Sequence, residues 1–205
     1  TKNPVQLSRL VMDSTEYVFI SGPKADNFAE LNGLELAPRE YFDTAFRFRQ
    51  WQAAQRADKV MLDHSDDRNF GTVGAVARDM DGNLAAATST GGLTNKQFGR
   101  IGDSPVIGSG NYANNQTCAV SCTGYGEYFL RAVSAYDLSC RIKYLKQDLN
   151  TAATDVINAL SELQGEGGLI AIDSEGNIAM PFNSSGMYRA SYQAKNDEMV
   201  VKIFK

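Results

Sequence analysis

Gly71-Thr-Val-Gly-Ala-Val-Ala-Arg-Asp-Met-Asp-Gly-Asn-Leu-Ala-Ala-Ala-Thr-Ser-Thr-Gly-Gly92 is the stretch on which the fold assignment rests. Thr72 to Ala77 is small, apolar and β-branched. Asp79-Met-Asp-Gly-Asn83 is turn chemistry, and Leu84 to Thr88 is a second strand. This order predicts a β-hairpin. The pattern returns near the C-terminus, where Ala171-Ile-Asp-Ser-Glu-Gly-Asn-Ile-Ala-Met180 echoes Ala77 to Ala86. Both copies run into hydroxyl-rich segments, Thr88-Ser-Thr-Gly-Gly92 and Asn183-Ser-Ser-Gly186. One echo is too few for a solenoid. It reads instead as two equivalent hairpins, one in each of two stacked sheets.

Between the hairpins, Cys118 to Thr123 is an alternating strand that puts Cys118 and Cys122 on one face. Glu127 to Tyr144 is helical, with Phe129, Ala132, Val133, Tyr136 and Cys140 on one stripe and a Glu127–Arg131 pair at i,i+4. Asn150 is the expected cap of a second helix that turns Val156, Ile157, Leu160 and Leu163 inward and ends at Gly165 to Gly168. Ser191 to Phe204 reads as a hairpin or edge strand. Upstream, Asn3-Pro4 opens a helix to about Met12. Tyr17 to Ile20 is a short strand closed by Ser21-Gly22-Pro23. Pro38 to about Ala57 is helical in two pieces, and Lys59 to Leu62 is a strand. Asp63-His-Ser-Asp-Asp-Arg-Asn69 is an exposed polar linker. Strands before and after a central helix pair predict an α+β fold, sheet on sheet with helices outside.

The 205 residues are enough for one domain with a real core. A net charge of -4 argues against nucleic acid or an anionic membrane as the main partner. No apolar run approaches the roughly 20 residues of a membrane helix. Three cysteines make no disulfide framework, so a reduced, cytoplasmic protein is the expectation. With one histidine and no C-x-x-C, no metal site is assigned.

A triad would have to use His64, the only histidine, which sits in the polar linker and reads as solvated. A Thr needs no histidine if it begins a chain, because its own α-amino group, with a free pKa of about 7.7–8.0, then serves as base. Gly71-Thr72 fits that chemistry. Gly71 leaves room around a scissile carbonyl, and the Thr72 hydroxyl could attack it. Most Gly-Thr pairs, however, merely begin strands. Arg100-Ile-Gly-Asp103 offers a guanidinium for an α-carboxylate and a carboxylate for an α-ammonium, or else a surface ion pair of little energy. Thr123-Gly124-Tyr-Gly126 offers a hydroxyl and a backbone N–H for a developing oxyanion, or else an ordinary strand-to-helix turn.

Taken together, Gly71 to Gly92, Gly99-Arg-Ile-Gly-Asp-Ser-Pro-Val-Ile-Gly108, Tyr112-Ala-Asn-Asn115, Ala119-Val-Ser-Cys-Thr-Gly-Tyr-Gly-Glu127 and Met180-Pro-Phe-Asn-Ser-Ser-Gly-Met-Tyr-Arg189 resemble the plant-type L-asparaginases, or isoaspartyl aminopeptidases. These are Thr-type N-terminal-nucleophile hydrolases. The resemblance covers nearly all of residues 72–205 and continues more loosely through Asn3-Pro-Val and Leu10-Val-Met. It implies an α+β, four-layer αββα sandwich over 1–205. Autoproteolysis at Gly71-Thr72 would divide it into 1–71, the C-terminal part of an α subunit, and 72–205, the β subunit. By resemblance Thr72 is the nucleophile and Thr90 the second active-site threonine. Arg100 and Asp103 hold the substrate's α-carboxylate and α-amine. Thr123 and Gly124 stabilise the oxyanion, and Gly126 lies in the substrate loop. The implied substrates are L-asparagine and β-aspartyl dipeptides, handled by a dimer of αβ units with no required cofactor.

Family precursors also begin with a His-Gly-Gly-Ala-Gly-like strand, and their linker is longer than Asp63 to Phe70. That N-terminal region supplies a sodium-binding loop, so the resemblance assigns no sodium ligand here; a monovalent cation near Gly102 to Gly110 is a separate expectation. Two alternatives stand beside the asparaginase reading. One is a glycosylasparaginase, which the Arg100–Pro105 motif and the Thr90-Gly91-Gly92 context disfavour. The other is a catalytically silent truncated or unprocessed variant.

Overall fold

The computed structural model describes residues 1–60 and 71–205. The chain divides into two compact units, Thr1–Val60 and the remainder. The expected polar linker, His64 and the second half of the expected strand Lys59 to Leu62 lie outside the described residues; Lys59 and Val60 are not in a strand.

The first unit is helical. α1 (Pro4–Ser14) starts where Asn3 accepts a hydrogen bond from the Gln6 N–H, with Pro4 at N1, as its sequence dictates. It runs two residues past the expected end. The expected strand Tyr17 to Ile20 is not formed; among the described residues it has no partner strand, and Tyr17, Val18 and Phe19 are exposed. Ser21-Gly22-Pro23 instead opens α2 (Pro23–Leu31), with Gly22 as its N-cap and Pro23 at N1. The segment Pro38 to Ala57 does form two pieces, a 3₁₀ turn (Arg39–Phe42) and α3 (Ala45–Arg56), the latter capped by the Thr44 hydroxyl.

In the second unit, β1 (Val73–Arg78) and β2 (Leu84–Ser89) form the expected antiparallel hairpin. A four-stranded antiparallel sheet follows the order β3 (Asn111–Ala113), β4 (Cys118–Gly124), β5 (Gly167–Asp173), β6 (Ile178–Ala179). The C-terminal pair β7 (Arg189–Gln193) and β8 (Glu198–Lys202) is a separate hairpin. The two echoed turns are built alike. Asp79 Oδ1 accepts from the Asp81 and Asn83 amides, and Asp173 Oδ1 accepts from the Glu175 and Asn177 amides. In each, the Asn side chain bonds back to the other carboxylate oxygen. Short Asx-type bonds of this kind depend only on local spacing, which is why the echo was visible in the sequence.

β4 is buried on both faces. Cys118, Val120 and Cys122 join Phe129, Leu138, Val156, Ile157, Leu160, Leu169 and Ala171 in the core between sheet and helices. The opposite face turns Ser121 onto the β1–β2 hairpin. The backbones approach so closely there that a methyl group at Gly74 would overlap the Ser121 hydroxyl. Helix, sheet and hairpin thus form three layers in a mixed α/β unit.

The helices depart from expectation in three ways. The single helix expected over Glu127 to Tyr144 is two, α4 (Gly126–Ala132) and α5 (Ser134–Leu145), broken at Val133, which adopts left-handed angles, φ 50° and ψ 45°. A β-branched residue rarely does so. Here the loop carbonyls of Gly108 and Ser109 take the amides of Tyr136 and Ala135 and hold the bend. The break rotates the second segment, so Ala135 and Leu138 are buried while Val133 and Tyr136 are partly exposed, against the expected stripe. α6 (Leu149–Glu162) is capped by Asp148, not Asn150, through a bond from the Thr151 amide. Leu163 is its exposed C-cap, not a core residue.

Candidate active site

A small open cleft lies between the first hairpin and the end of β4. Its neutral wall comes from strand register. Val73 pairs with Ser89 at the end of the ladder, and Thr72 and Thr90 are the next residues on either side of that pair. Gly74 and Thr88 are partners in that register and meet the sheet at Ser121, where the Thr88 and Ser121 hydroxyls lie 2.7 Å apart. With a period of two, Thr72, Thr90 and Thr123 fall on the same facing surfaces. All three line the cleft, with Gly71 and Gly124. Thr90 Oγ1 accepts the Gly92 amide at 3.0 Å, a turn that leads the chain out of β2 and around the rim. Gly124 has φ +145°, and any Cβ there would strike the Glu166 carbonyl and Gly167. Only glycine permits that approach.

Another part of the lining is charged. Arg100 and Asp103 both line the cleft, with Gly102 and Ser104 between and beyond them. Asp103 is 5% exposed, its Oδ2 has no hydrogen-bond partner among the described residues, and burial pushes its pKa up to about 6. The Arg100 charge and nearby backbone N–H groups pull the other way without offsetting the burial, and Glu127 adds to the rise. Arg100 donates from Nε and Nη2 to the two Glu127 oxygens at 2.7 and 2.8 Å. Glu127 therefore turns to Arg100, 27 residues away, and not to Arg131 as the helical spacing predicted. That contact holds the Glu127 carboxyl below its ordinary range.

Gly126 does not line the cleft. It stands behind it, and a methyl group there would lie 2.6 Å from Asp103 Oδ1 and 3.0 Å from Arg100 Nη2. Its place is to let α4 begin directly against the two charged residues. The other sequence-predicted residues, Gly71, Thr72, Thr90, Arg100, Asp103, Thr123 and Gly124, are brought to one cleft from four separate segments. Sequence reasoning missed Gly92, Leu93, Gly102 and Ser104 as lining residues and Glu127 as the partner of Arg100. Ser104 stood in the quoted Arg-Ile-Gly-Asp-Ser-Pro motif, and Glu127 closed the Thr-Gly-Tyr-Gly-Glu motif, so both had a signal in the sequence.

The arrangement gathers hydroxyl groups, a fixed cation and a buried carboxylate with one unpartnered oxygen on one cleft. It suits a small zwitterion gripped at one wall and attacked from the other. A family model described as Asparaginase matches residues 1–202. The isoaspartyl peptidase of Escherichia coli K12 is 52% identical over 195 residues, covering 92% of this chain and 61% of that protein. The isoaspartyl peptidase of Salmonella typhimurium is 50% identical, over 92% of this chain and 62% of that protein. The isoaspartyl peptidase/L-asparaginase of Bos taurus is 39% identical, over 90% of this chain and 60% of that protein. The chain thus spans about three fifths of the length of these relatives. On the match over residues 1–202 and these identities, the chain belongs to the asparaginase family.

Proposed function

We propose that this chain is an amidohydrolase that cuts itself at Gly71-Thr72 and hydrolyses L-asparagine and β-aspartyl dipeptides through a Thr72 acyl-enzyme. The observation that carries this reading is the convergence of Thr72, Thr90, Thr123, Gly124, Arg100 and Asp103 on one cleft. Relatives named isoaspartyl peptidase and isoaspartyl peptidase/L-asparaginase support it.

In this mechanism Arg100 receives the substrate α-carboxylate and Asp103 its α-ammonium, which gives the buried Oδ2 a donor. The freed α-amine of Thr72 takes the proton from its own hydroxyl, and Oγ1 attacks the side-chain carbonyl carbon. Thr123 and Gly124 receive the developing oxyanion, and Thr90 supports the nucleophile from the facing strand. The same amine returns the proton to the departing nitrogen, releasing ammonia or an amino acid. Water then opens the Thr72 ester to give aspartate and restore the hydroxyl.

The proposed domain is a single αββα sandwich over 1–205, cut into 1–71 and 72–205, acting in the cytoplasm as a dimer of αβ units. Three free cysteines accord with a reducing compartment. No cofactor enters the proposed reaction. Among the described residues, no helix is long and apolar enough to cross a membrane.

Intact-mass spectrometry followed by product release from asparagine, β-aspartyl-leucine and glycosyl-asparagine tests the proposal. Two fragments meeting at Gly71-Thr72, with release from the first two substrates, are expected. Release from the glycosylated substrate alone would move the assignment to glycosylasparaginase. A single uncut mass without turnover would overturn it in favour of a silent variant.

A further inference from the structure

The Arg100 guanidinium carries five N–H donors in a rigid planar fork. Glu127 occupies one whole edge of it, Nε to Oε1 and Nη2 to Oε2. The remaining parallel pair is the end of the fork, Nη1 with the second hydrogen of Nη2. Nη1 lies over Gly102, where a methyl group would come within 2.8 Å of it, and near Gly92, at 3.6 Å by the same measure. Both glycines line the cleft, and Glu127 does not. Within the ion pair the Arg100 side chain is 18% exposed and that of Glu127 49%, so the carboxylate grips the guanidinium from its outer, wetter side.

Building on the amidohydrolase reading, we propose that Glu127 is a positioning residue that clamps Arg100 by its side edge, so that the substrate α-carboxylate is received end-on by Nη1 and Nη2. A free arginine side chain has several rotamers and two edges that can hold a carboxylate bidentately. One held bidentately on one edge has a single orientation left, and the ordering is done before substrate arrives. The adjoining glycines serve the same end. Gly102 and Gly126 leave the space in which the guanidinium lies flat against the loop. Glu127 reaches it because α4 starts one residue earlier, immediately after the Thr123-Gly124 turn. The anchor for the α-carboxylate and the oxyanion turn are thereby tied to the same short segment.

The clamp has an opposite that makes it testable in sign. If Glu127 merely fills the empty cleft as a substitute for substrate, removing its charge frees Arg100 and tightens binding. If it positions Arg100, removing it weakens binding. Glu127→Gln and Glu127→Asp are compared with wild type in the full chain, each checked for cleavage at Gly71-Thr72. The readings are KM and kcat for β-aspartyl-leucine and calorimetric titration of L-aspartate. Glu127→Asp keeps the charge at the start of α4 but shortens the reach, so it reports the clamp should Glu127→Gln fail to fold. The expected result is a KM and an L-aspartate Kd raised about ten- to a hundredfold in both variants, the range of a lost charge-assisted contact, with kcat little changed.

In the Gln variant the acid limb of kcat/KM also moves to lower pH, because a negative charge that raises Asp103 is gone. In an Arg100→Gln background the Glu127→Gln change adds nothing further. A KM that is unchanged or lowered, in a wild-type protein that turns over, overturns the clamp alone. A wild type that neither turns over nor binds L-aspartate overturns the amidohydrolase reading and the clamp with it.

Discussion

The two walls of the cleft are built on opposite principles. The hairpin wall presents Thr72 and Thr90, neutral and at least partly open to solvent, at the ends of strands that owe their place to register. The charged wall presents Arg100 and Asp103, largely buried, on a loop that must be held by its surroundings. Within that wall the two carboxylates differ again. Glu127 is half exposed, fully paired and held below its usual pKa, whereas Asp103 is buried, has an orphaned oxygen and is pushed up to about 6. The lesson is that reactivity and recognition carry separate energetic signatures. The reacting wall costs the fold little. The recognising wall holds an unsatisfied charge whose partner is the substrate.

The largest effect separates the walls completely. Thr72→Ala is expected to leave a single uncut chain and turnover lowered on the order of a millionfold, as for other deleted nucleophiles, while L-aspartate still binds. Normal cleavage in that variant, read by intact mass, would remove Thr72 from its role.

On the recognising wall, Asp103→Asn is expected to lower kcat/KM by about ten- to a hundredfold while raising thermal stability at pH 8. The folded carboxyl titrates near 6 instead of 3.8, so the folded state holds the proton more tightly than the unfolded chain. Stability then falls as pH rises from about 4 to 6 and is level above that, a displacement worth about 3 kcal/mol. Thermal melts of both proteins at pH 4 and pH 8 check this: the gap in favour of Asn should be wide only at pH 8.

The same group sets the pH dependence of binding. Beyond the fall that protonation of the Thr72 amine sets at higher pH, wild-type kcat/KM is expected to show a second acid limb, a further fall of about tenfold per pH unit below about 6, where Asp103 takes up its proton and loses the substrate ammonium. The Asn variant should lack this limb. An identical limb in both would assign it to another group.

Smaller effects sharpen the contrast. Gly126→Ala places a methyl group 2.6 Å from Asp103 Oδ1 and should raise KM with little change in kcat. Ser121→Ala removes the hydroxyl that meets Thr88 across the two sheets. It should cost about 0.5–1.5 kcal/mol of stability by denaturant unfolding, and less catalysis than any change above.

Legibility followed the range of the forces involved. The Asn3 cap, the Thr72 to Thr88 hairpin and the matched Asp79 and Asp173 turns depend on residues within a few positions of one another, and each was readable from the sequence. Tyr17 to Ile20 has strand composition but no partner strand, so composition misled there. The bend at Val133 was invisible because carbonyls of residues 108 and 109 impose it on a residue that would not choose it. The Glu127 partner was misjudged for the same reason: an i,i+4 pair is worth a few tenths of a kcal/mol on a helix surface, too little to compete with a bidentate arginine brought in by the fold.

By itself, then, the sequence determined the hairpins, the buried central strand and the set of residues that could act, because local spacing and the resemblance of whole motifs carry that information. Only the tertiary structure decided how they stand to one another. It brought Thr72 and Arg100 to one cleft, left Asp103 Oδ2 without a partner among the described residues, and gave one edge of Arg100 to Glu127. Burial and pairing between segments tens of residues apart are properties of packing, and packing is what sets the charge state and orientation of each group in the cleft.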